Sequence, residues 1–302
     1  MIVSVPDKED FFQSGFSMLN LAWDSIIALY FDLEFSELED WDDEGDAEKE
    51  FWKAAQRSIS VSLALAQQGI ELLLKGRIAE VSPFLLITGS PRDWPSGCTE
   101  RDIPFADFRT IDAHELIRAH DTIITPRLNN SFKNQFENLR RLRNLIFHSV
   151  DKRFRPKAED VFKIILTAVD CLHKPKSWIN IRREYLENTP NSVAFSDEQV
   201  EYRLISEMLH LISHLNSTET LKYFGFNKKQ RAYICYECAQ NCRDEGIEPK
   251  VAVLNPNSSD STQIYCFICE KNYPVIRKEC GKNKCRGNVL DAEDKICLTC
   301  YS

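Results

Sequence analysis

Residues 139–149 read Leu-Arg-Arg-Leu-Arg-Asn-Leu-Ile-Phe-His-Ser and close a longer run in which Leu128, Phe132, Phe136, Leu139, Leu142, Ile146 and Val150 step by threes and fours. That spacing predicts a helix over 128–150 with one apolar face. With Phe136 set to zero, the apolar stripe runs from about 240° to about 20°. Arg143 falls at about 340°, inside the stripe, while Asn144 and His148 fall at about 80° and about 120°. A guanidinium turned toward a core is costly unless it is paired or lies at an interface. Here the sequence breaks its own pattern.

The helical period extends in both directions. Phe12, Phe16, Leu19, Trp23, Ile26, Ile27 and Tyr30 predict an amphipathic helix over 8–31. Ile59, Leu63, Ala66, Ile70, Leu73 and Leu74 predict a second, over 51–78. Pro83, Pro91, Pro95 and Gly97 then break the period, so 82–110 reads as an irregular excursion, with short helical turns over 111–120. Beyond the quoted stretch, Pro156 marks a helix start and Val161, Ile164, Ile165, Ala168, Val169 and Leu172 continue it. Ser196-Asp197-Glu198 caps one more helix to about His214. Nothing before residue 230 alternates with period two, and no internal repeat is visible.

The last seventy or so residues obey a different rule. Nine of the eleven cysteines lie from Cys235 to Cys300, eight of them in the pairs Cys235/Cys238, Cys266/Cys269, Cys280/Cys285 and Cys297/Cys300. Each pair presents two thiolates from one tight turn, and two turns complete a closed tetrahedral zinc site with Zn–S near 2.3 Å. Two structural Zn2+ ions are therefore expected. Sequential pairing needs loops of 27 and 11 residues; the spacing leaves interleaved pairing open. Cys242 is left over as a spare thiol. Closed four-thiolate sites have no open position for chemistry, and so small a module draws its folding energy from the metal. Tyr233, Tyr236, Tyr265, Phe267 and Tyr273 supply a small ribbon core or a stacking surface for bases.

Charge divides along the same line. Residues 1–224 carry 26 basic and 36 acidic side chains, a net of −10, and residues 225–302 carry 12 and 10, a net of +2. Lys271, Arg277, Lys278, Lys282, Lys284 and Arg286 crowd one short run against Glu279. That footprint is narrower than a duplex-DNA binder shows. Eleven carboxylates and one lysine between Asp32 and Glu50 read as a solvated loop. The first residues, MIVSVPDKED, lack a basic and apolar leader pattern, and no apolar run is long enough for a membrane span. A reducing, cytoplasmic setting is expected, in which clustered CxxC pairs indicate metal.

One constellation carries chemistry before residue 230. Histidine titrates near neutrality and can take the proton of a ribose 2′-OH. The planar arginine fork matches phosphate oxygens. Arg143, Asn144 and His148 together suffice for metal-free RNA cleavage, with Asn144 orienting the other two. Arg109–His114 and Arg203–His210 repeat the bare arginine–histidine spacing without that context. His210 and His214, one turn apart, are a surface pair that can bind metal in principle.

The helix with Ile70-Glu-Leu-Leu-Leu-Lys-Gly-Arg-Ile78, the excursion, and the helix ending in Arg143-Asn144-x3-His148 resemble the HEPN family of helical nucleotide-binding and ribonuclease domains over residues 8–180. The resemblance implies a helical bundle that forms a homodimer with motifs facing across a cleft, cuts RNA without metal, and serves as a toxin or antiviral effector restrained by an antitoxin or sensor. Some members carry a tyrosine two residues after the histidine; here that position is Val150. The expected layout is mainly α: a HEPN-like domain over 1–190, a helical connector over 191–229, and a β-containing double-zinc module over 230–302. The alternative is a non-catalytic dimeric regulator that docks on nucleic acid or protein through the zinc module.

Overall fold

The structure is a computed structural model that describes residues 1–34, 36, 46–148, 155–190, 192, 197–243 and 246–302. Most of the acidic run, the Val150 position and the expected cap at Ser196 lie outside the described residues. The chain divides into two compact units, Met1–Pro175 and Lys176–Ser302. Residues 176–190, read from the sequence as the end of the first domain, group with the cysteine-rich half.

In the first unit the helices are α1 (Lys8–Glu34), α2 (Asp46–Ala54), α3 (Gln56–Ala79), α4 (Ala113–Ile123), α5 (Asn130–His148) and α6 (Ala158–Leu172). Helix α3 is the hub, packed along α1 and touching α4, α5 and α6. Its predicted stripe is its core face: Ile59, Ile70, Leu73 and Leu74 are all buried. The α1–α3 crossing is close because glycines meet there. A Cβ on Gly69 would lie 2.9 Å from the Gly15 carbonyl oxygen, and one on Gly15 would lie 3.0 Å from that of Gly69. Trp23 of α1 stacks obliquely on Phe162 of α6, with ring centroids 4.4 Å apart.

The excursion is irregular as expected, held by the buried side chains of Leu86, Ile103, Phe105 and Phe108. Within it β2 (Ile103–Pro104) pairs in parallel with β1 (Ile2–Val3). Two-residue strands are too short to show alternation, which is why no period-two signal announced them. The short turns expected over 111–120 are instead a three-turn helix, α4. Asn129 starts α5 by accepting the Phe132 N–H at 2.9 Å.

One expectation about α5 is corrected. Phe132, Phe136 and Leu139 are buried, but Leu142 and Ile146 are only half-buried and Phe147 is 60% exposed. Burial ends after Leu139, so Arg143 does not face a core. It is half-buried at the lip of a cleft.

The second unit holds α7 (Trp178–Glu187), α8 (Asp197–His214), α9 (Ser217–Phe224), α10 (Tyr236–Asn241) and an antiparallel sheet. The strand order is β3 (Ala252–Leu254), β4 (Gln263–Cys266), β5 (Lys271–Ile276) and β6 (Leu290–Asp291). Arg182 of α7 and Glu207 of α8 form a two-pronged ion pair, 2.9 and 2.8 Å, with both side chains fully buried. Phe267 anchors the small apolar core against Phe224 and Phe226, at centroid distances of 5.6 and 4.9 Å. No described helix is long and apolar enough to cross a membrane.

Candidate metal centres and the arginine cleft

The first cysteine pair straddles the start of α10, with Cys235 just before it and Cys238 in its first turn. The second occupies the β4–β5 turn, where Cys266 stands opposite Lys271 and Glu270 takes a φ of 54° to close the loop. These four thiols form one cluster, and Cys280, Cys285, Cys297 and Cys300 form another; within each, all Sγ atoms lie within 4.8 Å of one another. Pairing is sequential.

The geometry fits a metal ion. A tetrahedron with 2.3 Å bonds has Sγ···Sγ edges of about 3.8 Å. In the first cluster Cys235–Cys269, Cys238–Cys266 and Cys238–Cys269 stand at 3.8, 3.7 and 3.5 Å. In the second, Cys280–Cys300 and Cys285–Cys297 stand at 3.8 and 3.9 Å. Backbone N–H groups of Cys269, Lys282 and Gly287 donate to Cys266, Cys280 and Cys285 at 3.4, 3.4 and 3.3 Å, as thiolates require. Gly287 is obligatory: a Cβ there would sit 2.6 Å from Cys297 Sγ. In the first cluster, hydrogen bonding to Cys235 pulls Cys269 far below the ordinary thiol range, while bonding to the same Cys235 pushes Cys238 far above it. Four thiols within 4.8 Å of one another cannot all ionise without a cation between them.

Cys242 is buried and belongs to neither cluster. Of the module's aromatics, Tyr233 and Phe267 are buried, and Tyr236, Tyr265 and Tyr273 are half-exposed. In the basic run, Arg277 is half-buried, whereas Lys271, Lys278, Lys282, Lys284 and Arg286 are exposed.

In the helical unit, a cleft of about 330 Å3 opens between α3, the residues leading into α4, and α5. Arg143 and Asn144 line it from α5 together with Arg140, one turn earlier. Arg143 donates to Asn144 Oδ1 at 3.4 Å and lies 5.5 Å above the Phe147 ring. No described carboxylate pairs with it. Lys75 and His114 line the cleft from α3 and α4. His148 is exposed at the end of α5, outside the lining, but one helical turn past Asn144 on the same face.

The other arginine–histidine matches are structural. Arg109 is bound to Asp112 at 2.7 Å and Arg203 to Glu207 at 2.9 Å. His210 and His214 approach through their Nε2 atoms at 3.0 Å. His120 is buried against Asp121, and His173 stands edge-on to Phe12 and Phe16. The sequence reading missed the α3 and α4 contributions to the cleft. Only Ile70–Ile78 hinted at them, since Glu71 and Lys75 are one turn apart.

Comparison of the chain with protein-family models, curated proteins and solved structures gave no match.

Proposed function

We propose that the helical unit is a metal-independent RNA endonuclease of HEPN type, acting as a toxin or antiviral effector, and that the cysteine clusters hold two structural Zn2+ ions in a module that recognises the target or a partner. The observation that carries this reading is the convergence of Arg143, Asn144, Arg140 and Lys75 on one polar cleft, with His148 on the adjoining turn. A cationic concavity with an imidazole at its rim suits attack of a ribose 2′-OH on its own phosphodiester. His148 takes the 2′-OH proton, O2′ bonds to phosphorus, and Arg143 holds the non-bridging oxygens as charge builds. The P–O5′ bond breaks, leaving a 2′,3′-cyclic phosphate and a 5′-OH, and a protonated imidazole of a second copy returns the proton. Asn144, bonded to Arg143, positions the fork. The half-buried Leu142 and Ile146 and the exposed Phe147 support a homodimer, since a second copy would cover them.

Cleavage of RNA in the presence of EDTA tests the reading, wild type beside His148→Ala, with metal content and folding followed in the same samples. Cyclic-phosphate ends from the wild type alone are expected; equal cleavage by both removes His148 from the reaction. One observation favours the alternative of a non-catalytic regulator: Lys278, Lys282, Lys284 and Arg286 are all exposed around the second cysteine cluster. On that reading their charge reversal abolishes binding to nucleic acid or protein, and Arg143→Ala changes nothing.

A further inference from the structure

Gln67 is buried to 1% exposure on α3 yet lines the cleft. Its Nε2 faces Glu71 Oε2 at 3.4 Å. A carboxylate only accepts, so the amide nitrogen must take that side and the oxygen the other. Gln67 Oε1 is left buried without a donor. Native proteins seldom leave a buried acceptor unmet, and those that do commonly meet it with a ligand or water.

Lys75, one turn further along α3 from Glu71, is similarly placed. Its Nζ meets Glu71 Oε1 at 3.1 Å and Thr110 Oγ1 at 3.3 Å, with the lysine and glutamate side chains 13% and 15% exposed. An ammonium has three donors, so two are committed and one remains for the cleft. Arg140 is tied to Glu137, whereas Arg143 has no described carboxylate. The walls thus offer two cationic donors and one buried acceptor, in a volume at the small end of ligand sites.

We infer that Gln67 and Lys75 are substrate-positioning residues, and that the cleft seats one nucleotide of the RNA chain. Its phosphate lies between Lys75 and Arg143, and a ribose hydroxyl or base N–H donates to Gln67 Oε1. This rests on the ribonuclease reading for its substrate. The recognised chemistry, a phosphate with a hydrogen-bond donor beside it, is shared by RNA and free nucleotides. RNA is favoured because the cleft adjoins the turn that carries His148.

The test uses the full-length, metal-loaded His148→Ala protein, so that bound RNA stays intact. Its probes are a short single-stranded RNA, the four nucleoside 3′-monophosphates, and inorganic phosphate. Lys75→Met should weaken all three about tenfold, and Gln67→Met should weaken RNA and nucleotide about tenfold while leaving phosphate unchanged. A purely structural role for Gln67 would not produce that split. Unchanged RNA and nucleotide affinity in Gln67→Met, or equal weakening of phosphate, overturns the assignment. Without any variant at these positions, the RNA must also shield Lys75 from acylation; undiminished labelling counts against it. Tight nucleotide binding with no RNA binding overturns the placement of RNA. If the wild type cleaves RNA and Gln67→Met cleaves it with the same KM, this inference falls and the nuclease reading stands. If the binding split appears but the wild type cuts nothing, the nuclease reading falls and the cleft stands.

Discussion

Cys238 Sγ and Cys266 Sγ lie 3.7 Å apart although 28 positions separate them in the chain. The first and second knuckles therefore share one site, and the third and fourth share the other. The full-length protein should carry two metal ions per chain. The double variant Cys238→Ser/Cys266→Ser should carry one, since both substitutions strike the same cluster. Interleaved pairing would strike both clusters and leave none. Metal analysis of the purified proteins decides, and stripping the metal should unfold the sheet.

Arg143→Ala and His148→Ala should each reduce RNA cleavage by roughly 10²–10⁴-fold, the scale of a lost phosphate clamp or proton-transfer group. Arg143→Lys keeps the charge but loses the fork, so its rate should fall between wild type and Arg143→Ala. Helix content and metal stoichiometry should not change, because both side chains lie outside the core. Cleavage of wild-type magnitude in Arg143→Ala would remove this helix from the chemistry.

Gly69→Ala should destabilise the helical unit. The new methyl would meet Leu19 Cδ2 at 2.8 Å and the Gly15 carbonyl oxygen at 2.9 Å, and a backbone oxygen cannot rotate aside. Overpacking costs about 1–3 kcal/mol, against a gain of about 1 kcal/mol in helix propensity. Denaturant unfolding should show a net loss; a more stable variant would mean that α1 and α3 cross with room to spare.

The Arg182–Glu207 pair predicts an asymmetry. Glu207→Ala removes the carboxylate that faces the fully buried Arg182 guanidinium, at a cost of about 3–5 kcal/mol. The paired replacement Arg182→Met/Glu207→Leu should recover most of that loss, because it removes both buried charges. Equal stability of the single and double variants in chemical denaturation would contradict this.

His120 should make stability depend on pH in a definite direction. Burial holds its folded-state pKa below the ordinary 6.5, against the pull of Asp121. The unfolded chain therefore binds a proton that the folded chain resists. Stability is full above about pH 6.5 and declines as the pH falls below it. In parallel unfolding series from pH 7 to pH 5, His120→Asn should lose part of that decline. An unchanged slope would show that His120 titrates alike in both states.

The helices were legible because their signal is local. Each of α1, α3, α5 and α6 declares its face within its own residues, and the buried positions of α3 are those its stripe names. Arg143 shows the limit of that method. The stripe of α5 continues in sequence after Leu139, but its burial does not, because burial depends on what the fold brings alongside. His114 is a similar case. Its spacing from Arg109 is the same as that of Arg143 from His148, yet it reaches the cleft without Arg109, which Asp112 holds outside.

By itself the sequence determined the helical class of the first part and the four cysteine knuckles, because helix period and knuckle geometry are set by residues a few positions apart. Only the tertiary structure decided which cysteine pairs share a cluster, where Arg143 points, and that Gln67 and Lys75 line the same cleft. The glycine-to-glycine approach of Gly15 and Gly69 and the packing of α3 on α4 and α5 bring distant stretches together. Pairwise distances of that kind are properties of the packed chain, and no local pattern records them.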